Sequence, residues 1–182
     1  MKKLFASLLF LAVLVLPSCV DGKFETTPRV LIDRYIIVNS ADTVSMSYLA
    51  EQSAYCTDTL HVGDSVLITV AFDAVGNNIT LARVNYQSEY AGITMLYPEE
   101  WNEWLTPSVT DSCCSFSVQE GYRGFTMQVM YVPKKEGSPS LKFRIESDSE
   151  YSPSELRIIT PVLPAVAEKE PDSEFDPESG DE

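Results

Sequence analysis

Apolar residues recur at every second position through most of the chain between residues 30 and 164. In the clearest case, Leu141, Phe143 and Ile145 are separated by charged residues. Successive side chains of a strand point to opposite faces, so the pattern predicts strands with one buried and one solvated face. Such runs, bounded by turn-forming residues, are predicted at 30–38, 44–49, 66–72, 79–86, 112–118, 125–131, 141–145 and 156–162. Seven or eight short strands predict an all-β antiparallel sandwich.

One short helix interrupts this series. The segment 98–105 begins with Pro98, has acidic residues in its first turn, and places Trp101 on one side together with Trp104 or Leu105. No longer amphipathic helix is found between the predicted strands, which excludes a parallel βαβ architecture. A second irregularity is a change of apolar parity near Arg83, which predicts a β-bulge or burial on both faces.

The domain resembles the immunoglobulin-like domains of bacterial surface proteins. The resemblance is carried by the turn Val62-Gly63-Asp64-Ser65, which leads into an alternating strand, and by a terminal hairpin that ends near Pro161. It implies an immunoglobulin-like β-sandwich and covers most of residues 30–164.

The N-terminus predicts a secreted protein. Two lysines precede an apolar-rich run from Leu4 to Leu16, which is the length of a signal-peptide core and too short for a transmembrane anchor. The quartet Leu16-Pro17-Ser18-Cys19 resembles the lipobox of bacterial lipoproteins. That resemblance implies removal of residues 1–18 and acylation of Cys19, including with palmitate, so that two or more chains hold the protein stably on its membrane.

The resemblance also bears on location. In gamma-class Gram-negative bacteria an Asp after the lipidated Cys retains a lipoprotein at the inner membrane, and here Val20 occupies that position. Outer-membrane attachment is therefore expected. An acidic cluster of the kind carried by surface-exported lipoproteins is represented only by Asp21, so periplasmic and outward orientations stay open.

Charge divides the rest of the chain and limits its partners. Residues 19–29 form the expected lipidated tether, 30–164 the domain and 165–182 an acidic tail that is expected to be disordered, with eight acids between Glu168 and Glu182. The formal net charge of −14 opposes binding to nucleic acid or anionic lipid. Expected partners are the membrane, through the anchor, and a glycan or an envelope protein.

Three cysteines remain after Cys19, and the extracytoplasmic location permits oxidation. The candidate disulfide joins Cys56 to either Cys113 or Cys114, because neighbours on a strand point to opposite faces and only one of the pair can reach Cys56. At least one of the three thiols is expected to stay buried and reduced. A zinc site that adds His61 to these residues is an alternative, although adjacent cysteines are awkward ligands for one metal. No metal and no cofactor are predicted.

Two further features suggest catalysis but have plainer explanations. His61, the only histidine, precedes a turn and lacks any nucleophile-elbow motif, so a strand-end role is expected. Glu146, Asp148 and Glu150 are similar to the catalytic E-x-D-x-E strand of a β-sandwich family of retaining glycoside hydrolases. Ser147 and Ser149 stand where that family has bulky apolar residues, and the segment is expected to be an acidic turn. No enzyme is predicted.

The densest group of aromatic and acidic residues provides the candidate ligand site: Tyr90, Tyr97, Trp101 and Trp104. Sugars stack their C–H faces on exposed aromatic rings while their hydroxyls bond polar neighbours. Tandem tryptophans can equally close the open end of a sandwich. The sequence therefore predicts a non-catalytic binding or structural module of the envelope, engaged in glycan capture or adhesion, or else acting as a scaffold or spacer.

Overall fold

The structure, a computed structural model, describes residues 25–165. The predicted signal peptide 1–18 and Cys19 lie outside the described residues, as do residues 19–24 of the tether and 166–182 of the tail. Among residues 25–165, no helix is long and apolar enough to cross a membrane. Strands occur at β1 (Arg29–Ile37), β2 (Met46–Leu49), β3 (Ala54–Thr57), β4 (Leu60–His61), β5 (Val66–Asp73), β6 (Ile79–Asn85), β7 (Ala91–Leu96), β8 (Leu105–Thr110), β9 (Cys113–Val118), β10 (Gly124–Pro133), β11 (Ser140–Ser147), β12 (Ser154–Ile159) and β13 (Val162–Leu163), with 3₁₀ helices at Ala50–Gln52 and Glu99–Glu103.

Two large sheets face each other. One has four strands in the order β1-β5-β10-β7, and the other has seven in the order β2-β3-β12-β11-β6-β9-β8. A two-stranded sheet, β13-β4, completes the described fold. Most neighbours are antiparallel, whereas β12 with β3 and β13 with β4 are parallel.

The core lies between the two large sheets. Alternate residues of β5 and β11 are buried, as their period-two pattern predicts. Tyr35, Phe72 and Tyr131 from the four-stranded sheet and Phe116 and Phe143 from the seven-stranded sheet are the largest buried side chains. The predicted all-β class with antiparallel sheets is therefore confirmed.

The predicted number of strands is too low. Thirteen strands occur in residues 25–165, and the five that the alternation missed are β3, β4, β7, β8 and β13. Three of these have only two or four residues, too few for a period to show. Strands β7 and β8 lack regular alternation because they lie at sheet edges, where burial is incomplete.

The predicted bulge in β6 is displaced. Glu146 pairs with Leu81 and Ser147 with Ile79, so Thr80 is the extra residue and the parity changes there instead of near Arg83. The switch lets both Ile79 and Ala82 point into the core.

Candidate functional site

The aromatic site is built where the chain crosses from the four-stranded to the seven-stranded sheet. Strand β7 ends at Leu96, Pro98 has an extended backbone, and the 3₁₀ helix Glu99–Glu103 follows it. The Trp101 N–H donates to the Pro98 carbonyl at 3.0 Å, and the Trp104 N–H donates to the Trp101 carbonyl at 3.0 Å. The predicted short helix is thus present, as a shorter 3₁₀ helix that starts after Pro98.

Trp104 is held by stacking against neighbouring aromatic rings. Its ring lies parallel to that of Tyr122, with centroids 4.1 Å apart and an interplanar angle of 11°. Phe125 meets it edge-on at 5.5 Å, and Trp101 lies 5.1 Å away. Because Trp104 is half-buried and packs against the core, it closes this end of the sandwich.

Trp101 also lines a surface groove of about 430 Å³. The groove is lined by Thr69, Leu96, Tyr97, Pro98, Trp101, Thr126, Met127 and Gln128. Thr69, Gln128 and Leu96 lie side by side in one row across β5, β10 and β7. Hydroxyl and amide groups of the sheet therefore face the two aromatic rings across the groove.

Tyr97 has a fixed orientation in this groove. Its ring meets Phe116 edge-on, with centroids 5.3 Å apart, and its hydroxyl donates to the Asn102 Oδ1 at 3.4 Å. A ring held at two points loses little freedom when a ligand stacks on it.

Tyr90 does not belong to this site. It precedes β7, whereas Tyr97 follows it, so the two residues lie at opposite ends of that strand. The Lys135 ammonium lies 5.1 Å from the centroid of the Tyr90 ring, a cation–π contact. Of the four candidate residues, the structure brings only Tyr97 and Trp101 to the groove, with Trp104 packed behind them.

The polar side of the groove has no distinguishing pattern in the sequence. Thr69, Thr126 and Gln128 come from strands far apart in the chain, and each is an ordinary outward residue of an alternating strand. Only the register between β5 and β10 places them together.

The predicted disulfide is wrong. Cys56 lies in β3 and the adjacent Cys113 and Cys114 lie in β9, with β12, β11 and β6 between them. Four strand spacings amount to about 19 Å, far beyond the Cα separation that a disulfide spans. All three thiols are free, and burial raises the pKa of the Cys114 thiol. The same separation removes the alternative zinc ligand set.

The acidic segment 146–150 is divided between a strand and a turn. Glu146, at the end of β11, bonds Arg144 at 2.9 Å, and Arg144 also bonds Glu155 at 2.9 Å and so lowers the pKa of that carboxyl. Asp148 accepts hydrogen bonds from the Asn78 N–H at 2.8 Å and from the Asn78 side chain at 3.1 Å. Strand β11 ends at Ser147, so Asp148 and Glu150 lie in the turn and only Glu146 is carried by the strand.

His61 has a local structural role. Its backbone N–H donates to the Asp64 Oδ2 at 2.7 Å, which stabilises the turn after β4. The imidazole Nδ1 lies 4.0 Å from the same carboxylate and is partly exposed.

Comparison with known proteins gives no sequence relative: no family model and no curated protein match the chain. Among solved structures, the C-terminal domain of the antigen I/II-family protein AspA from Streptococcus pyogenes is 10% identical, with 75% of this chain and 47% of that chain covered and a TM-score of 0.44. BslA, a bacterial hydrophobin, is 6% identical, with 79% and 98% covered and a TM-score of 0.41. A DUF4466 family protein from Parabacteroides merdae is 8% identical, with 72% and 43% covered and a TM-score of 0.43. The chain spans less than half the length of the first and third of these structures, and at these scores none of them assigns a function.

Proposed function

We propose that this chain is a lipid-anchored binding module of the bacterial cell envelope, and that the groove of Tyr97 and Trp101 binds carbohydrate. The observation that carries the proposal is the placement of two aromatic rings opposite Thr69, Thr126 and Gln128. A sugar presents apolar C–H faces and hydroxyls together, and this groove offers a partner for each. Its volume of about 430 Å³ suits a short glycan segment.

The anchor is proposed from the sequence. Leu16, Ser18 and Cys19 fit a lipobox, Val20 favours the outer membrane, and acyl chains on Cys19 would hold the domain at the surface. We take the domain to be a variant of the immunoglobulin-like sandwich, with the turn at residues 62–65 leading into β5 in support. The charge of −14 disfavours nucleic acid as a partner.

We also propose that the module is not catalytic. The carboxylates that suggested glycoside hydrolysis have other partners, since Glu146 bonds Arg144 and Asp148 bonds Asn78. Retaining hydrolysis requires two carboxylates facing one cleft about 5 Å apart. The exposed Glu150 in the turn does not provide the second one.

Affinity electrophoresis in gels that contain bacterial and plant polysaccharides tests the groove. At least one polysaccharide is expected to retard the protein, and Trp101→Ala should weaken that binding about tenfold or more, because the stacking surface is lost. Tyr48→Ala is the matched control, since Tyr48 is 58% exposed on a distant strand. Retardation by no polysaccharide, or equal retardation of Trp101→Ala, would refute carbohydrate binding in this groove.

Mass spectrometry of protein purified from membranes tests the anchor. The expected mass lacks residues 1–18 and includes acyl groups on Cys19, and Cys19→Ser should move the protein to the soluble fraction. Retention of residues 1–18, or an unmodified Cys19, would contradict this part of the proposal and leave the groove unaffected.

A scaffold or spacer is the second candidate, and the stacking of Trp104 on Tyr122 favours it. In a spacer both tryptophans serve only to close the sandwich. Acrylamide quenching separates the two functions when each tryptophan is replaced by Phe in turn. A groove that binds ligand requires strong quenching of Trp101, which remains in Trp104→Phe, whereas a spacer shields both indoles.

A further inference from the structure

One side of the sandwich is open between β7 and β8. Strand β7 is an edge of the four-stranded sheet, and β8 is an edge of the seven-stranded sheet. A cavity of about 500 Å³ lies between them, away from the aromatic groove. It is lined by Tyr86, Ser88, Gly92, Ile93, Val109, Thr110, Asp111 and Lys134.

Val109 shows that β8 projects beyond the sheet that faces it. In the register, Val109 lies opposite Cys114, which lies opposite Val84, so all three share the inward face. Val84 and Cys114 are buried, yet Val109 is 69% exposed and is the most exposed large apolar residue in the described part of the chain. The four-stranded sheet therefore ends one strand before it would cover β8.

Backbone groups of β7 point into this opening. The Tyr90 carbonyl accepts a hydrogen bond from the Lys134 backbone N–H at 2.7 Å. In an antiparallel pair only every second residue of a strand bonds the strand on a given side. Gly92, Thr94 and Leu96 therefore bond β10, while the N–H and C=O groups of Ile93 and Met95 face away from it. Among the described residues, no strand pairs with that side of β7.

The other edge strands of the two large sheets have features that disfavour strand addition, and β7 does not. Strand β1 has a register shift at Asp33, and Val44 donates its N–H to the Tyr35 carbonyl and so covers part of the edge. Strand β8 contains Pro107, and β2 has only four residues. Strand β7 has six residues without proline, charge or register shift. Such an edge pairs readily with another strand.

We propose that β7 accepts an extended segment of another polypeptide as a fifth strand of the four-stranded sheet. A residue directly opposite Ile93 or Met95 lies on the same face as they do, and their side chains pack against the core. Those two positions of the incoming segment must therefore be apolar, to cover Val109, and the position between them faces solvent. The segment binds by strand addition, with backbone hydrogen bonds for affinity and alternate side chains for specificity.

The segment comes from a different protein. In the proposed mature protein residues 1–18 are removed. The remaining stretches outside the described residues, 19–24 and 166–182, contain as large apolar residues only Val20, Phe24, Val166 and Phe175, and no two of these are two positions apart. A second copy is opposed because pairing β7 with β7 would bring the two projecting β8 strands together. The formal charge of −14 on each chain adds repulsion.

A displayed library of peptides of about nine residues, with apolar residues fixed at alternate positions, tests the proposal. We expect it to yield binders, and a library of the same composition with the apolar residues made contiguous to yield none. With a selected peptide bound, the amide hydrogens of Ile93 and Met95 should exchange with solvent at about one tenth of their rate in the free protein, or more slowly. This measurement uses the unaltered protein, so it does not depend on how any variant folds.

Val109→Asp should weaken peptide binding about tenfold or more, because it places a charge against the apolar side of the added strand. Val38→Asp is the control, since Val38 is also exposed, at 47%, and lies beyond the end of β1. The proposal is overturned if neither library yields a binder or if Val109→Asp binds the peptide normally. It is also overturned if the bound peptide protects other amides and leaves those of Ile93 and Met95 unprotected. A dimer without peptide whose β7 amides are protected would also overturn it, because a second copy would then occupy the edge.

Discussion

Two tyrosine hydroxyls lie inside the core of this protein. Tyr35 is 1% exposed and shares a hydrogen bond of 3.2 Å with the Thr160 hydroxyl. Tyr131 is equally buried, and its hydroxyl has no hydrogen-bond partner among the described residues. Burial raises the pKa of Tyr35 to about 12, and it raises the pKa of Tyr131 as well. Both groups therefore couple the stability of the fold to alkaline pH.

Stability should fall steeply between pH 10 and about pH 12. In the unfolded chain a tyrosine loses its proton near pH 10, whereas Tyr35 keeps its proton until about pH 12, so alkali favours the unfolded state. Each such residue should lower the free energy of unfolding by about 1.4 kcal/mol per pH unit in this window. Urea unfolding at successive pH values measures the slope. Tyr35→Phe should reduce it, the exposed Tyr48→Phe should not, and equal slopes for the two variants would contradict the assignment.

At the scale of single elements, Asp148 fixes the turn between β11 and β12 to the loop before β6. Its two oxygens accept both hydrogen bonds from Asn78, and the neighbouring Glu150 is exposed. Asp148→Ala should therefore lower the free energy of unfolding by about 1–3 kcal/mol, and Glu150→Ala should leave it within about 0.5 kcal/mol. Denaturant titration of the two variants makes the comparison. A larger loss from Glu150→Ala would mean that the turn is held in a different way.

The elements differ in how far the sequence predicts them. Strand β11 alternates cleanly because one face meets the core and the other meets water, so its period predicts it. Strands β7 and β8 lie at edges where neither face is fully covered, and no period marks them. Trp101 and Tyr97 are visible as a local cluster, but Thr69 and Gln128 reach the groove only through pairing of β5 with β10. Sheet order is a property of the whole fold, and for that reason the separation of Cys56 from Cys113 and Cys114 cannot be predicted from local sequence.

At the scale of the whole molecule, sheet order keeps the cysteines apart, and the sandwich must be stable without a cross-link. A disulfide that closed the loop from Cys56 to Cys113 would add about 4 kcal/mol in the chain-entropy model, enough to move the melting temperature by many degrees. We expect equal melting temperatures with and without reductant when thermal unfolding is followed by circular dichroism. In a Cys19→Ser chain, thiol titration without reductant should find three thiols after denaturation, and in the folded protein Cys114 should react slowest, because it is 4% exposed and its pKa is raised. The opposite result is a melting temperature that falls on reduction and is lowered by the same amount in Cys56→Ser without reductant. It would show that the strands are ordered differently from β3-β12-β11-β6-β9.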